Sequence, residues 1–298
     1  MRVHHLNCIS TCPLGGKLMD GRSHASLRGK LSCHCLLLEM ADELVLVDTG
    51  FGLKDVADPH SRLSRFFLTL LSPELREEMT AIRQIQRLGF NPRDVRHIVL
   101  THLDFDHAGG MDDFPEARVH LLAAERASAE ARITLLDRMR YRPQQWSTRR
   151  NWRVYAPTMG ERWFGFDCVR ELEGIPSGVA LVPLVGHTYG HAGVAVKQGS
   201  HWMLLAGDAY FYHSEMNRSR PRCTPGLAAY QWLMEKDRSA RLWNQRRLRE
   251  LSGSGRVKVF CSHDPTEFER LAGRALGSPA MARRTLPPLT GPSHNAVA

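Results

Sequence analysis

Short apolar runs punctuated by turn residues alternate along the chain with longer stretches whose apolar positions recur every three or four residues. Residues 33–39 and Leu44–Val47 are runs of the first kind, with Asp42-Glu43 as a turn between them, and predict two strands. The second run ends at Asp48-Thr49-Gly50. Leu75, Met79, Ile82 and Leu88 then share one helical face, Ser72 and Pro73 supply start signals and Gly89 a stop, so the spacing predicts an amphipathic helix over 72–89. A strand at 97–100 follows, then a helix over about 121–140. Further strands are predicted at 179–185, His201–Leu205 and 256–260, with a long helix over about 227–251. Residues 141–170 break the pattern, with Trp146, Trp152, Trp163 and Phe164 among arginines, and read as a loop and hairpin insertion. Small residues and prolines from Gly277 onward predict a loose tail over 277–298, leaving residues 1–276 as one domain. No repeat of solenoid period is visible.

Composition narrows the class. The 298 residues are 43% apolar, enough for a packed core. No window reaches the length of apolar sequence that spans a bilayer, and the start Met-Arg-Val-His-His-Leu-Asn-Cys lacks the apolar centre of a secretion signal, so a cytoplasmic location is expected. The seven cysteines are an odd number, which rules out a complete disulfide framework and suits a reducing compartment. Cys33-His34-Cys35 has the donors for a metal clip, but it opens an apolar strand and reads as buried thiols. The formal charge of +9 is carried by arginine clusters at Arg149, Arg150 and Arg153, at Arg218, Arg220 and Arg222, and from Arg238 to Arg249. The last cluster alternates with Trp232, Leu233, Leu242 and Leu248 and includes Glu235, Asp237 and Glu250, the pattern of a solvated helix face more than of a nucleic-acid surface.

The chemistry concentrates in Thr-His-Leu-Asp-Phe-Asp-His at 101–107, directly after a predicted strand. Residues two apart in a loop leaving a strand tend to point the same way, so His102 and Asp104 converge on one ion while Asp106 and His107 turn toward another. Gly109 and Gly110 allow the tight turn that follows. Three more clusters sit just after strands: Gly186-His187-Thr188-Tyr189-Gly190-His191, Leu205-Ala206-Gly207-Asp208 and Phe260-Cys261-Ser262-His263-Asp264.

In that order, preceded by Asp48-Thr49-Gly50, these signatures resemble the metallo-β-lactamase superfamily over most of residues 1–275. The resemblance implies an α/β (α+β) fold, a four-layer αββα sandwich. It implies that His102, Asp104 and His187 hold a first metal, that Asp106, His107 and His263 hold a second, and that Asp208 bridges both. His191 and Asp48 match supporting residues. A water bridging two divalent ions, deprotonated near neutral pH, would attack a carbonyl or phosphoryl group, and Asp106 would pass a proton to the leaving group. Neither Cys261 nor any serine is needed as a nucleophile, and His4, His5, His201 and His213 match nothing in the signatures.

The sequence departs from the superfamily motif His-x-His-x-Asp-His at one position, where Asp104 replaces the second histidine. The resemblance implies two divalent ions, zinc foremost; with a hydroxide, the extra carboxylate of Asp104 lowers the formal charge of the site from +1 to 0, which favours harder ions and makes manganese or iron alternatives. The segment through Gly110 is most similar to the acyl-homoserine lactonase branch, in which a tyrosine shortly after the bridging aspartate touches the lactone carbonyl. Tyr210 and Tyr212 flank that position, and Tyr210 is taken with Asp106 as the catalytic pair. The expected activity is hydrolysis of a small-molecule lactone or carboxylic ester, with residues 141–170 roofing an acyl pocket. A glyoxalase II-type thioesterase, a phosphodiesterase or nuclease, and a metal-binding protein without turnover are the alternatives. Neither nucleic acid nor membrane is favoured as a partner, and a homodimer is left open.

Overall fold

Alternation in the first apolar runs places Leu36, Leu38, Val45 and Val47 on one face of a sheet and Cys35, Leu37, Leu44 and Leu46 on the other, and both faces are buried. A strand with no solvated face belongs to a layered sandwich, where each fully buried Leu or Val contributes about 1.5–3 kcal/mol. The computed structural model describes residues 1–148, 151–156 and 160–281; most of the expected tail, Arg149, Arg150 and the Cys168 side chain lie outside the described residues.

Two six-stranded sheets form the centre. The first contains β1 (Arg2–Asn7), β2 (His34–Glu39), β3 (Leu44–Val47), β4 (Val95–Val99), β5 (Arg118–Leu122) and β6 (Trp152–Tyr155), in that order across the sheet. β1 to β3 are antiparallel, and β3 to β6 run parallel. The second contains β7 (Glu161–Trp163), β8 (Phe166–Glu171), β9 (Val179–Pro183), β10 (Ala192–Gln198), β11 (His201–Leu205) and β12 (Val257–Phe260), in the order β12-β11-β10-β9-β8-β7. Between the sheets Leu36, Val45, Val99 and Leu122 pack with Leu181, Val194, Met203 and Phe260. Helices cover both outer faces: Ala81 and Ile85 pack against the first sheet, Leu248 and Leu251 against the second. The four-layer αββα expectation is met.

Topology decides where the chemistry collects. β9 and β11 are both antiparallel to β10 and hence parallel to each other, and β12 runs parallel to β11. Their C-terminal ends therefore emerge at one edge of the second sheet, and residues 187, 208 and 263 follow those ends.

Several expected elements differ. Residues 72–89 do not form one helix: Ser72 closes the preceding helix Arg65–Leu71 in the left-handed region (φ 41°), the N–H of Glu74 is taken by Ser10 O, and a single 3-10 turn at Glu77–Met79 precedes the α-helix Ala81–Arg87. Leu121 belongs to β5. The helix then runs as Ala123–Ala131 and restarts as Leu135–Arg140, where Thr134 and Asp137 cap each other's backbone N–H groups. The long C-terminal helix is likewise two, Pro225–Met234 and Arg238–Gly253, the second capped by Asp237. Arg241 in that run is buried against Glu235 at 2.6 Å, and Trp232, Leu233 and Leu242 are exposed, so its polar and apolar faces are not cleanly divided.

The described residues of 141–170 belong to the two sheets and to their packing. They supply β6 to the first sheet and the β7–β8 hairpin to the second; Trp146 and Trp152 pack into the outer core of the first sheet, and Trp163 stacks edge-on against Phe164 and Trp202 on the outside of the second. The strand reading of Cys33-His34-Cys35 stands: both thiols are buried, and Cys8, Cys12, Cys33, Cys35, Cys223 and Cys261 are all free. No helix among the described residues is long and apolar enough to cross a membrane.

Candidate metal centre

Thr101 leaves β4 and at once meets Asp48, which leaves the parallel neighbour β3. Asp48 Oδ1 accepts the Thr101 N–H and Oδ2 the Thr101 hydroxyl, both at 2.8 Å, and Oδ2 also accepts the Nδ1–H of His107 at 2.8 Å. The backbone between them turns tightly. At Gly50 (φ 63°) a Cβ would come within 2.2 Å of Cys8 Cβ, so only glycine fits.

This scaffold brings His102, Asp104, Asp106, His107, His187, Asp208 and His263 together, all of them buried. Their donor atoms form three overlapping groups, His102/Asp104/His187, His102/His107/Asp208 and Asp106/His107/His263, each within 4.8 Å. The imidazoles are oriented from behind. His107 Nδ1–H donates to Asp48 and His263 Nδ1–H to Ser32 O at 2.7 Å. The Thr101 hydroxyl donates to Asp48, so its oxygen accepts the Nδ1–H of His102 at 2.9 Å. Each Nε2 thus carries a lone pair into the cluster.

His107 Nε2 and His263 Nε2 lie 3.3 Å apart, and Asp208 Oδ1 is 3.3 and 3.2 Å from them, with Asp106 Oδ2 at 3.7 Å from His263. Four acceptors facing one another at the edge lengths of a tetrahedron about an ion fit a cation among them. Among the described residues Asp208 Oδ1 and His102 Nε2 have no hydrogen-bond partner, as expected of atoms that would face an ion.

Around His102, Asp104 and His187 the arrangement differs. Arg140, fully buried at the end of helix Leu135–Arg140, places its guanidinium there. Its Nε donates to Asp104 Oδ1 at 2.7 Å, its Nη2 to Asp104 Oδ2 at 2.5 Å and to His187 Nε2 at 2.8 Å, and its Nη1 to Met234 O at 2.7 Å. Although burial acts the other way, Arg140 first and then His102 hold the Asp104 carboxyl well below its ordinary range. The charge reasoning from Asp104 alone is incomplete, since its negative charge has a positive partner.

Glu125 is a second residue that sequence reasoning missed. It accepts the Leu103 N–H at 2.9 Å and the Thr188 hydroxyl at 2.5 Å, tying the loop of His102 and Asp104 to that of His187. His191 takes the supporting place expected of it: its Nδ1–H donates to Leu184 O and its Nε2 accepts the Asp208 N–H, both at 2.9 Å.

The tyrosine expectation is corrected. The Tyr210 hydroxyl is buried 3.1 Å from both carboxylate oxygens of Glu267, and Tyr212 turns toward Gly21. Phe211, between them, stacks on His263 with ring centroids 5.1 Å apart and lies 5.8 Å from His187. Against Phe211, edge-on at 5.6 Å, packs Tyr230 from helix Pro225–Met234. Burial, then the charges of Asp106, Asp104 and Asp208, hold the Tyr230 hydroxyl well above its ordinary pKa, keeping it a proton donor beside three ligand carboxylates.

Comparison with known proteins agrees with this geometry. A probable metallo-hydrolase of Mycobacterium tuberculosis is 42% identical over 271 residues, 90% of this chain and 82% of that protein. An N-acyl homoserine lactonase of Bacillus thuringiensis is 26% identical over 258 residues, 85% of this chain and 91% of that one. Among solved structures, an N-acyl homoserine lactone hydrolase with the product N-hexanoyl-L-homoserine bound at its catalytic metal centre superposes with a TM-score of 0.66 at 22% identity, over 92% of this chain and 96% of that one. The sequence profile of the Metallo-beta-lactamase superfamily matches residues 28–263, and the chain belongs to that superfamily.

Proposed function

We propose that the protein hydrolyses a lactone or carboxylic ester, acyl-homoserine lactones foremost, with a divalent ion held by Asp106, His107, Asp208 and His263. The observation that carries the metal reading is the meeting of His107 Nε2, His263 Nε2 and Asp208 Oδ1 at 3.2–3.3 Å. The lactone reading is supported by the lactonases related over 85% of this chain. Two imidazoles and two carboxylates suit zinc, with manganese or iron as alternatives. When bound, such an ion supplies Lewis acidity that lowers the pKa of water and polarises a carbonyl.

The chain's own groups divide the remaining work. Asp106 takes the proton of the water that attacks the carbonyl carbon. As the acyl C–O bond breaks, it returns that proton to the departing ring oxygen, which leaves as a neutral hydroxyl. Tyr230 donates a hydrogen bond to the carbonyl oxygen as it gains charge, the part first expected of Tyr210. Phe211 lies buried between the imidazole of His263 and the ring of Tyr230 and packs the two together.

The test is a panel of acyl-homoserine lactones, simple esters, thioesters, phosphodiesters and β-lactams, run on protein loaded separately with zinc, manganese and iron. Ring opening of lactones at the highest kcat/KM is expected. A preference for thioesters or phosphodiesters, or silence throughout, would reject the substrate assignment.

A further inference from the structure

The cluster of seven ligands already contains a cation of its own. Arg140 is the last residue of its helix, and that helix is fixed at its start by the Thr134–Asp137 cap and by the ion pair of Asp137 with Lys236. Its guanidinium is gripped by Asp104 on one side and by Met234 O on another. It is fully buried and permanently charged.

We infer that Arg140 stands in for one of the two ions that the seven-ligand arrangement would suit, so that the centre takes a single divalent ion at Asp106, His107, Asp208 and His263. The inference rests on reading the cluster as a metal centre and sets its stoichiometry.

A guanidinium can only donate, so in the 2.8 Å contact between Arg140 Nη2 and His187 Nε2 the imidazole is the acceptor. A neutral imidazole has one such lone pair, and one directed at an N–H cannot also coordinate a metal. Both oxygens of Asp104 are likewise engaged by Arg140 at 2.7 and 2.5 Å. Among the described residues, the atoms of the first ligand set left without a hydrogen-bond partner are His102 Nε2, 3.3 Å from Asp104 Oδ2 and 3.8 Å from Asp208 Oδ2, and His187 Nδ1, the nitrogen of that ring that does not meet Arg140. No arginine or lysine among the described residues is hydrogen-bonded or ion-paired to Asp106, His107, Asp208 or His263. Asp48 and Ser32 O accept from the Nδ1–H groups of His107 and His263, which turns those nitrogens away from the set.

Charge points the same way. Asp104, Asp106 and Asp208 contribute three negative charges to a buried site; one guanidinium and one divalent ion balance them. A second divalent ion would have to sit within contact distance of the buried guanidinium. The replacement of the motif histidine by Asp104 then has a reason: an imidazole there could not hold a buried arginine, whereas a carboxylate can.

The experiment counts ions. Wild-type protein and the double variant Asp104→His/Arg140→Met are incubated with excess zinc, freed of unbound metal by gel filtration and compared by elemental analysis and native mass spectrometry. The double variant removes both buried charges together, so no unpaired ion is left to prevent folding. One ion per chain is expected in the wild type and two in the double variant. In addition, His187→Ala should keep the wild-type ion and His263→Ala should lose it, a comparison that involves no change at Arg140. Two ions in the wild type, a single ion in the double variant, or loss of the ion in His187→Ala would overturn the inference while leaving the metal reading intact. Absence of metal from both wild type and double variant would overturn the metal reading itself.

Discussion

Asp48 and His107, 59 residues apart in sequence, are joined by a 2.8 Å hydrogen bond from Nδ1–H to Oδ2, which aims Nε2 of the imidazole at Asp208 and His263. The same carboxylate fixes Thr101 through two further bonds, so it sets both the tautomer of the ring and the start of the ligand loop. Asp48 sits in the left-handed region (φ 52°), which asparagine also tolerates. Asp48→Asn should therefore fold but bind zinc about 10–100-fold more weakly. Titration with a competing chelator checks this, and unchanged affinity would mean that Asp48 only shapes the turn.

Asp208 offers one oxygen to each side of the cluster, and Oδ1, facing the Nε2 atoms of His107 and His263, has no hydrogen-bond partner among the described residues. Asp208→Ala should lose the ion and hydrolytic activity together. Metal analysis paired with turnover reads the outcome, and retained turnover would refute the ligand assignment.

Tyr230 and Tyr210 separate catalysis from packing. Tyr230→Phe should lower kcat by about 10²-fold with a smaller effect on KM, the cost of one lost donor to a developing oxyanion. Tyr210→Phe should leave kcat near wild type and lower the melting temperature by a few degrees, since its hydroxyl serves Glu267. Kinetics and thermal melts of both variants decide the matter, and the opposite pattern would restore Tyr210 to the reaction.

Glu267 gives a pH signature. Burial, and then the charge of Asp264, push its carboxyl up to about 7 from an ordinary 4.5. Between those values the unfolded chain ionises while the folded chain keeps its proton. Wild-type stability should fall as pH rises through that window, by on the order of 3 kcal/mol, and level off above pH 7. Glu267→Gln cannot ionise, so its melting temperature should gain on that of the wild type between pH 4.5 and 7.5. A gap independent of pH would show that the carboxyl ionises normally in the fold.

The ligands were legible because each follows a strand and because four of them lie within six residues; local order carried the message. Arg140 was not, being one of 40 lysines and arginines, and nothing in its neighbourhood distinguishes it. Its meaning comes from a helix that ends opposite Asp104, a relation that sequence spacing does not encode. Tyr230 was missed for the same reason, arriving from a later helix to stand beside Phe211. β10 escaped detection because Ala192, Gly193 and Ala195 lack the branched side chains that announce a strand, and β1 because His4, His5 and Asn7 dilute its apolar positions. The break before helix Leu135–Arg140 could have been read: Thr134 and Asp137 have the spacing of a reciprocal cap.

The ligand loops come from both sheets, with Asp106 and His107 following β4 of the first and Asp208 and His263 following β11 and β12 of the second. An ion among them is a cross-link between the two halves of the sandwich, tying His107 to a residue 156 positions further along the chain. Such a clasp favours the folded state in proportion to its affinity, because the unfolded chain cannot assemble it. Stripping the ion should thus do more than silence the site. It would unfasten the two sheets at the edge where their strands end and leave their apolar interface to hold the halves together alone.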